Sequence, residues 1–382
     1  MGGAAKHLMQ LHHDHELNMW EIYQIFEQAG RGEIKFYEKL DGMNIVFTWN
    51  EGLRFARNEG DIAKGGMDRQ ALAEKFRGRD KVEAAFLQSY DALARALENI
   101  KHRQEIFDGG KRWFSAEILG PINPNIVHYD RKSLVIHRTR LNSFDEMFDS
   151  FLLALLDNIP AMNQNSMDWE ICGPAEVKTR KMSKKEMSHF VGLAKILAKQ
   201  MPGYTMRSTV KDFTWGHVNK ICKEKGLGRS TSLYVTDRII GKKGCMDLRT
   251  LKKEFPEDAK LIDELVKDEW NVFKQAQEPL AKLVNDFAVS LLKGAKSSQV
   301  QDSRAEVRRL RKITSERIEE LSQSEGPKVS KFLEEQLYQL GSVENIDTPV
   351  EGVVFDYRGK TYKFTGSFAS ANRILGYGRY SH

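Results

Sequence analysis

No apolar run in this 382-residue chain is long enough to cross a bilayer. The longest, FLLALL at 151–156, falls far short of the roughly 20 residues a spanning helix needs. The first ten residues, MGGAAKHLMQ, carry no apolar segment of the kind a secretory signal requires. MGGAAK also lacks the Ser or Thr at its sixth position that myristoylation wants. Cysteine is scarce: Cys172, Cys222 and Cys245 are odd in number, widely spaced and form no C-x-x-C pair. Neither a disulfide framework nor a zinc site is indicated, and the expectation is buried free thiols in a reducing compartment. GLGRS and GKKG are Gly-basic loops, but neither is G-x-x-x-x-G-K-[ST], so no P-loop is present. There is no internal repeat and no low-complexity tract. A cytoplasmic protein with no membrane partner is expected.

What is present suits a soluble chain of two domains, with 41% apolar and 29% charged residues. The net charge is only +6, but it is unevenly spread. Between residues 176 and 253 there are 19 Lys and Arg against 6 Asp and Glu, an excess of 13. That is the footprint a polyphosphate partner selects, although a solvated basic surface would read the same way. Lys178, Arg180, Lys181, Lys184, Lys185, Arg229, Lys242 and Lys243 are the candidate nucleic-acid contacts within it. Trp215, Tyr234 and Tyr204 could stack on bases or pack in a core, and the RRLRK run at 308–312 could face phosphates or solvent.

Residues 33–62 read as strand, turn and strand: IKFYEKL, NIVFTW, and GLRFARN after an Asn50–Gly52 turn. Helical spacing follows over 68–107, then strands at 112–120 and 133–141. From Ser143 to about Leu340 the pattern is mostly helical, with capping boxes at Ser143–Glu146 and Ser183–Glu186. Strands return in EGVVFDYRGKTYKFTG at 351–366, joined across Arg358-Gly359. The last strands would rejoin the first sheet, making the helical block an insertion. In LHHDHE only His12 and Glu16 share a helical face, so a solvated helix start is favoured over a metal cluster.

The stretch FYEKLDGMNIVFTW interrupts a strand with Lys39, Asp41 and Gly42, residues that favour a bend. A Lys-x-Asp-Gly match alone arises by chance on the order of 0.1 times in a chain this long. Its company raises it: Arg57 in FARNEG, Glu117 in FSAEILG, His137 in LVIH, Glu351 in VEGVVF and Lys363 in YKFTG follow in order. Each has an ordinary alternative. Lys39 could be a hairpin surface lysine, Arg57 a partner of Glu59, Glu117 a plain strand residue and His137 a core histidine, while Lys360 rivals Lys363.

In that order these elements resemble the covalent nucleotidyltransferases: ATP-dependent DNA and RNA ligases and the related capping enzymes. Asn44, five residues past Lys39, is similar to the second class of phage RNA ligases, which would place the protein in the cytoplasm of a host. The resemblance spans roughly residues 34–140 and 345–370. It implies an α+β fold: an ATP-grasp-like nucleotidyltransferase (ligase adenylation) domain of antiparallel sheets with a large helical insertion. The expected divisions are 1–142 (first part, with an N-terminal helix), 143–342 (basic helical insertion) and 343–382 (last strands). The chain ends 19 residues after Lys363, so no C-terminal OB-fold is expected.

The resemblance further implies that Lys39 attacks the α-phosphorus of ATP. Glu38, Asp41, Gly42, Asn44, Arg57, Glu117, His137 and Lys363 would line the nucleotide site, with Glu117 on the ribose and His137 stacked on adenine. Glu351 and Asn44 would hold Mg²⁺ (or Mn²⁺). Gly42 would let the nucleotide approach the backbone. A free lysine titrates near 10.4, so desolvation or nearby cations, Arg57 and Lys363, would have to strip its proton. Where the family has a second lysine, this chain has Thr365. The absence of a domain for recognising nicotinamide mononucleotide favours ATP as donor. The expected function is ATP-dependent polynucleotide ligation by a monomer, RNA favoured, on 5′-phosphate and 3′-hydroxyl ends. DNA ligation, or adenylyl transfer to a target other than nucleic acid, stays open, as does a non-catalytic nucleic-acid-binding role.

Overall fold

The computed structural model describes residues 8–98, 100–121, 126–137, 146–200, 203–324 and 326–378. The protein is mixed α and β, 57% helical and 12% strand, with two sheets. It divides into two compact units: residues 1–8, 35–179 and 292–382 form one, and 9–34 with 180–291 the other. These divisions differ from the expected 142/143 and 342/343. The N-terminal helix Met19–Arg31 falls in the second unit, and the helices Ser303–Ser322 and Pro327–Leu340 in the first. Among the described residues no helix is long and apolar enough to cross a membrane.

Among the described residues all eight strands are in the first unit: β1 (Tyr37–Lys39), β2 (Met43–Trp49), β3 (Leu53–Ala56), β4 (Phe114–Leu119), β5 (Ser133–Ile136), β6 (Glu170–Cys172), β7 (Gly352–Tyr357) and β8 (Lys360–Thr365). They make a three-stranded sheet in the order β1-β7-β8 and a five-stranded sheet in the order β3-β2-β4-β5-β6. The last strands therefore do rejoin the first, but they pair with β1 and not with β2. Expectation and structure also part at β6, which lies in the stretch read as helical and pairs parallel with β5. The larger sheet is mixed, not antiparallel throughout. Three residues are too few to show a period, which is why the pattern at 170–172 stays silent.

Both predicted hairpins form. Trp49 pairs with Leu53 across the three-residue loop 50–52, where Glu51 takes the positive φ of 55°. Arg358 (φ 49°) and Gly359 (φ 77°) make the two-residue connection between Tyr357 and Lys360, the twist that suits a tight hairpin. β2 is buried on both faces from Ile45 to Trp49: Ile45, Phe47 and Trp49 enter the main core, and Val46 packs with Ala56, Ile62 and Trp113. Phe47 and Phe114 pack with Phe86, Leu93, Phe107 and Phe148 from the helices Asp80–Glu98, Arg103–Phe107 and Phe148–Asp157. The expected cap at Ser143 and the strand over 138–141 lie outside the described residues.

In the second unit the capping box at Ser183–Glu186 opens the helix Lys184–Lys199 as expected. The helices Val210–Glu224 and Arg229–Ile239, with Ala259–Lys267 and the start of Glu269–Leu292, enclose Val218, Val235, Ile262 and Ala276. Residues 11–13 form a single 3₁₀ turn, so His12 and Glu16 do not share an α-helical face there.

Gly352 marks the tightest point of the smaller sheet. A Cβ there would lie 2.2 Å from the carbonyl oxygen of Phe364 on β8, a backbone atom that cannot yield without unpairing the strands. Gly352→Ala is expected to cost about 1–3 kcal/mol in urea unfolding, the range of overpacked cores. A cost under about 0.5 kcal/mol, the range of a neutral surface change, would contradict that close approach.

Candidate nucleotide site at the seam of two sheets

The Lys39-x-Asp41-Gly42 bend is where the chain leaves one sheet for the other. β1 ends on Lys39, which pairs with Gly352, and β2 begins one residue after Gly42. Glu351 precedes Gly352, so the β1–β7 register alone brings it beside Lys39. Lys39 Nζ donates to Glu351 Oε2 at 2.5 Å. On β8, Lys363 lies opposite Val354 of β7. It is close enough to Lys39 to feel that charge, whereas Lys360 sits at the hairpin turn.

Gly42 is required for a reason other than the one expected. A Cβ on it would fall 2.3 Å from Glu117 Cγ and 2.6 Å from Leu119 Cδ2. The missing side chain makes room for β4 at this bend, and nucleotide access is not what the contact shows. Asp41 is built inward. Its Oδ2 accepts the N–H groups of Ile126 (3.0 Å) and Val127 (3.1 Å), while its own N–H donates to the Tyr129 hydroxyl at 2.9 Å.

The larger sheet supplies a row of polar side chains. Arg57, just past β3, donates to the Asn44 carbonyl and lies over the Phe86 ring. Asn44 pairs in register with Glu117, and its amide donates to Ser115 Oγ at 3.1 Å. Glu117 Oε2 is 3.0 Å from His137 Nε2. Glu117 and His137 thus engage each other, where separate contacts to ribose and adenine were expected. The ordinary alternative for Arg57, a pair with Glu59, is not what forms: the Arg57 main-chain N–H donates to Asp61, whose carboxylate also takes the Lys75 ammonium.

Glu38 departs from expectation. Adjacent residues of a strand point to opposite faces. Its carboxylate is buried away from Lys39, accepting the Ser298 N–H (3.0 Å) and hydroxyl (2.9 Å). Burial raises its pKa against those bonds and that of Ser297.

The electrostatics also reverse one expectation. Burial presses the Lys39 ammonium toward losing its proton, but Glu351, then Glu117 and Asp41, outweigh it and hold the pKa above its ordinary value. Lys363 is the lysine pushed down, by burial and then by the Lys39 charge. Asp41 is raised to about 6, by burial and then by Glu351, against its two backbone N–H bonds. Three carboxylates around one part-buried amine make an acid-rich surrounding, a poor ground state for a nucleophile and a good one for a cation.

That donor set fits Mg²⁺ in one way only. Among the described residues no group of three His, Cys, Asp or Glu could hold a metal by itself. Glu351 is close enough to Asp41 to raise its pKa, and Mg²⁺ keeps waters and shares phosphate oxygens rather than demanding an all-protein cage. Asn44, expected beside the metal, has its amide turned to Ser115.

The expected nucleic-acid residues fare unevenly. Lys181, Lys184, Lys185, Arg229 and Lys243 are exposed, as is Lys178 in the first unit. Lys242 is exposed but pairs with Asp237 at 2.7 Å. Arg180 is structural: it donates to Ser290 O, to Ser290 Oγ and to Glu186. Within RRLRK, Arg309 binds Glu306 and the Ile126 carbonyl, and Arg311 binds Ile346 O and Glu344. Trp215 is half-buried and donates to Asp237.

Tyr129, Ser115 and the 126–127 backbone were not legible in sequence, because each reaches its partner across some seventy to ninety positions. Comparison with protein-family models, curated proteins and solved structures finds no match.

Asp41 provides a test of this electrostatic picture. Its folded pKa, about 6, lies above the ordinary 3.8, so the fold holds that proton more tightly than the open chain. The resulting stability is full below about pH 4 and is lost as the pH rises through about 6. Asp41→Asn keeps an acceptor for the N–H groups and is expected to be roughly 1–3 kcal/mol more stable than wild type near pH 8. The difference closes near pH 4. Urea titrations giving one difference at both pH values would refute it.

Proposed function

We propose that this protein is an ATP-dependent polynucleotide ligase acting through an adenylyl-Lys39 intermediate, with RNA ends favoured. The observation that supports this reading is the Lys39–Glu351 pair at the seam of the two sheets, with Glu117 and Asp41 close enough to hold Lys39 charged and Lys363 close enough to feel that charge. In the first step the neutral Lys39 amine attacks the α-phosphorus of ATP. A nitrogen–phosphorus bond forms, the bond to the bridging oxygen breaks, pyrophosphate leaves and the surplus proton passes to solvent. In the second step an oxygen of a polynucleotide 5′-phosphate attacks the same phosphorus and frees Lys39. In the third a 3′-hydroxyl attacks the 5′-phosphate and AMP departs.

Displacement at phosphorus is mostly positioning and charge neutralisation, which this chain can supply. Lys363 and Arg57 are half-buried cations suited to phosphate oxygens. The β1–β7 register fixes Lys39, and the Asp41 network holds the bend behind it. Mg²⁺, held by Glu351 with Asp41 and the phosphates, would supply the positive charge that competes with Lys39 for its carboxylates. Residues 180–253 supply the basic surface for the strand. Adenylyl transfer to another kind of target remains the second reading. It predicts no salt-sensitive binding of oligonucleotides, whereas strand contact steepens with each phosphate neutralised.

Incubation with α-labelled ATP and Mg²⁺ followed by denaturing electrophoresis is the decisive assay. An acid-labile label is expected on wild type and none on Lys39→Ala or Lys39→Arg. Because Glu351, Glu117 and Asp41 hold Lys39 protonated, labelling should accelerate as the pH rises from about 7 to about 9. Undiminished label in the Lys39 variants would overturn the assignment.

A further inference from the structure

The second unit carries an aromatic stack that the nucleotide site does not use. On the helix Met19–Arg31, the Trp20 and Tyr23 rings stack with centroids 4.8 Å apart and 15° between planes. Lys195, on the helix Lys184–Lys199, places Nζ 5.6 Å from the Tyr23 centroid. Trp20 is 46% exposed, and Ile196, next to Lys195, is 57% exposed. An exposed tryptophan alone needs no explanation, since most surfaces show scattered apolar groups. Here, however, the ring stacks on Tyr23 and the backbone beneath it is tied down. The Trp20 main-chain N–H donates to Met206 O (2.8 Å) and that of Met19 to Ser208 O (3.1 Å), which brings the segment of exposed Arg207 to the start of the helix.

The charge around the stack is of one usable sign. Lys195, Lys199 and Arg207 form no ion pair among the described residues. The acids of the same helix are committed elsewhere: Glu21 closes the capping box with Asn18, and Glu27 takes Arg31 at 2.6 Å. An aromatic stack whose rim carries cations in no ion pair among the described residues matches what unstacked bases and their phosphates need. It does not match a duplex, whose bases are already stacked.

We infer that Trp20 and Tyr23, rimmed by Lys195, Lys199 and Arg207, form a docking surface for single-stranded polynucleotide. It rests on the reading above for why a strand is brought to this protein, and it adds which part of the second unit grips it and in what form. Stacking contributes about 1–3 kcal/mol per base, so loss of the ring should weaken binding about five- to 150-fold. Each lysine that meets a phosphate should contribute about 0.7 to the salt slope.

The test is fluorescence anisotropy of labelled oligo-dT and oligo-rU of about 12 nucleotides, a length within single-strand site sizes, beside a blunt duplex, without ATP. Trp20→Ala is expected to weaken single-strand binding by the factor above, and Trp20→Phe, which keeps a stacking ring, to restore most of it. Lys195→Gln should lower the salt slope. Preference for one sugar would identify the strand as DNA or RNA while leaving the surface in place. Absent binding, equal binding of the duplex, or a Trp20→Ala protein that is folded and binds like wild type would overturn the inference. The labelling assay on the same wild-type preparation separates the two claims. Trp20-dependent binding without label leaves this surface standing and removes the nucleotidyltransferase, and label without binding does the reverse.

Discussion

The candidate site depends on one pairing, β1 against β7, which closes 312 residues of chain between Lys39 and Glu351. A buried ammonium is tolerable only with a carboxylate beside it, and a buried carboxylate only with a cation. The register that sets Lys39 opposite Gly352 supplies both at once. The pair is therefore weak evidence for stability and strong evidence for placement. Removing either partner leaves the other as an uncompensated charge, whereas an apolar pair could pack there without penalty. What the fold retains by keeping the charges is an ammonium–carboxylate pair at a defined point.

Around that pair the two sheets contribute different things. The three-stranded sheet brings Lys39, Glu351 and Lys363 together. The five-stranded sheet brings the row of Arg57, Asn44, Glu117 and His137, and the Asp41-Gly42 bend connects them. Gly42 is shaped by the approach of Glu117 and Leu119, and Asp41 by the 126–127 amides and Tyr129. The acids around Lys39 outweigh its burial and keep it charged.

Basic residues in this chain serve two ends that a charge count merges. Arg180, Arg309 and Arg311 are spent on carbonyls and carboxylates within their own units. A planar guanidinium with several donors satisfies buried acceptors well, so arginine in a basic run is readily drawn into the structure. Lysines such as Lys184, Lys185 and Lys243 keep their heads in water. The exposed cations of the second unit are consequently the lysine-rich subset of what the composition suggested.

Local patterns determined what local physics controls. The strand run 44–49, both hairpins, the helices over 69–107 and the Ser183 capping box follow from side-chain period, turn residues and caps within a few positions of each other. The order Lys39, Arg57, Glu117, His137, Glu351 and Lys363 was legible as a series. Tertiary structure alone decided the rest. It placed β1 and β2 in different sheets and paired the three-residue β6 in parallel with β5. It drew Glu38 to Ser297 and Ser298, coupled Glu117 to His137, and surrounded Lys39 with acids instead of cations. Each depends on partners tens to hundreds of positions apart, and on burial, which changes the energy of a charge far more than any neighbour in sequence does.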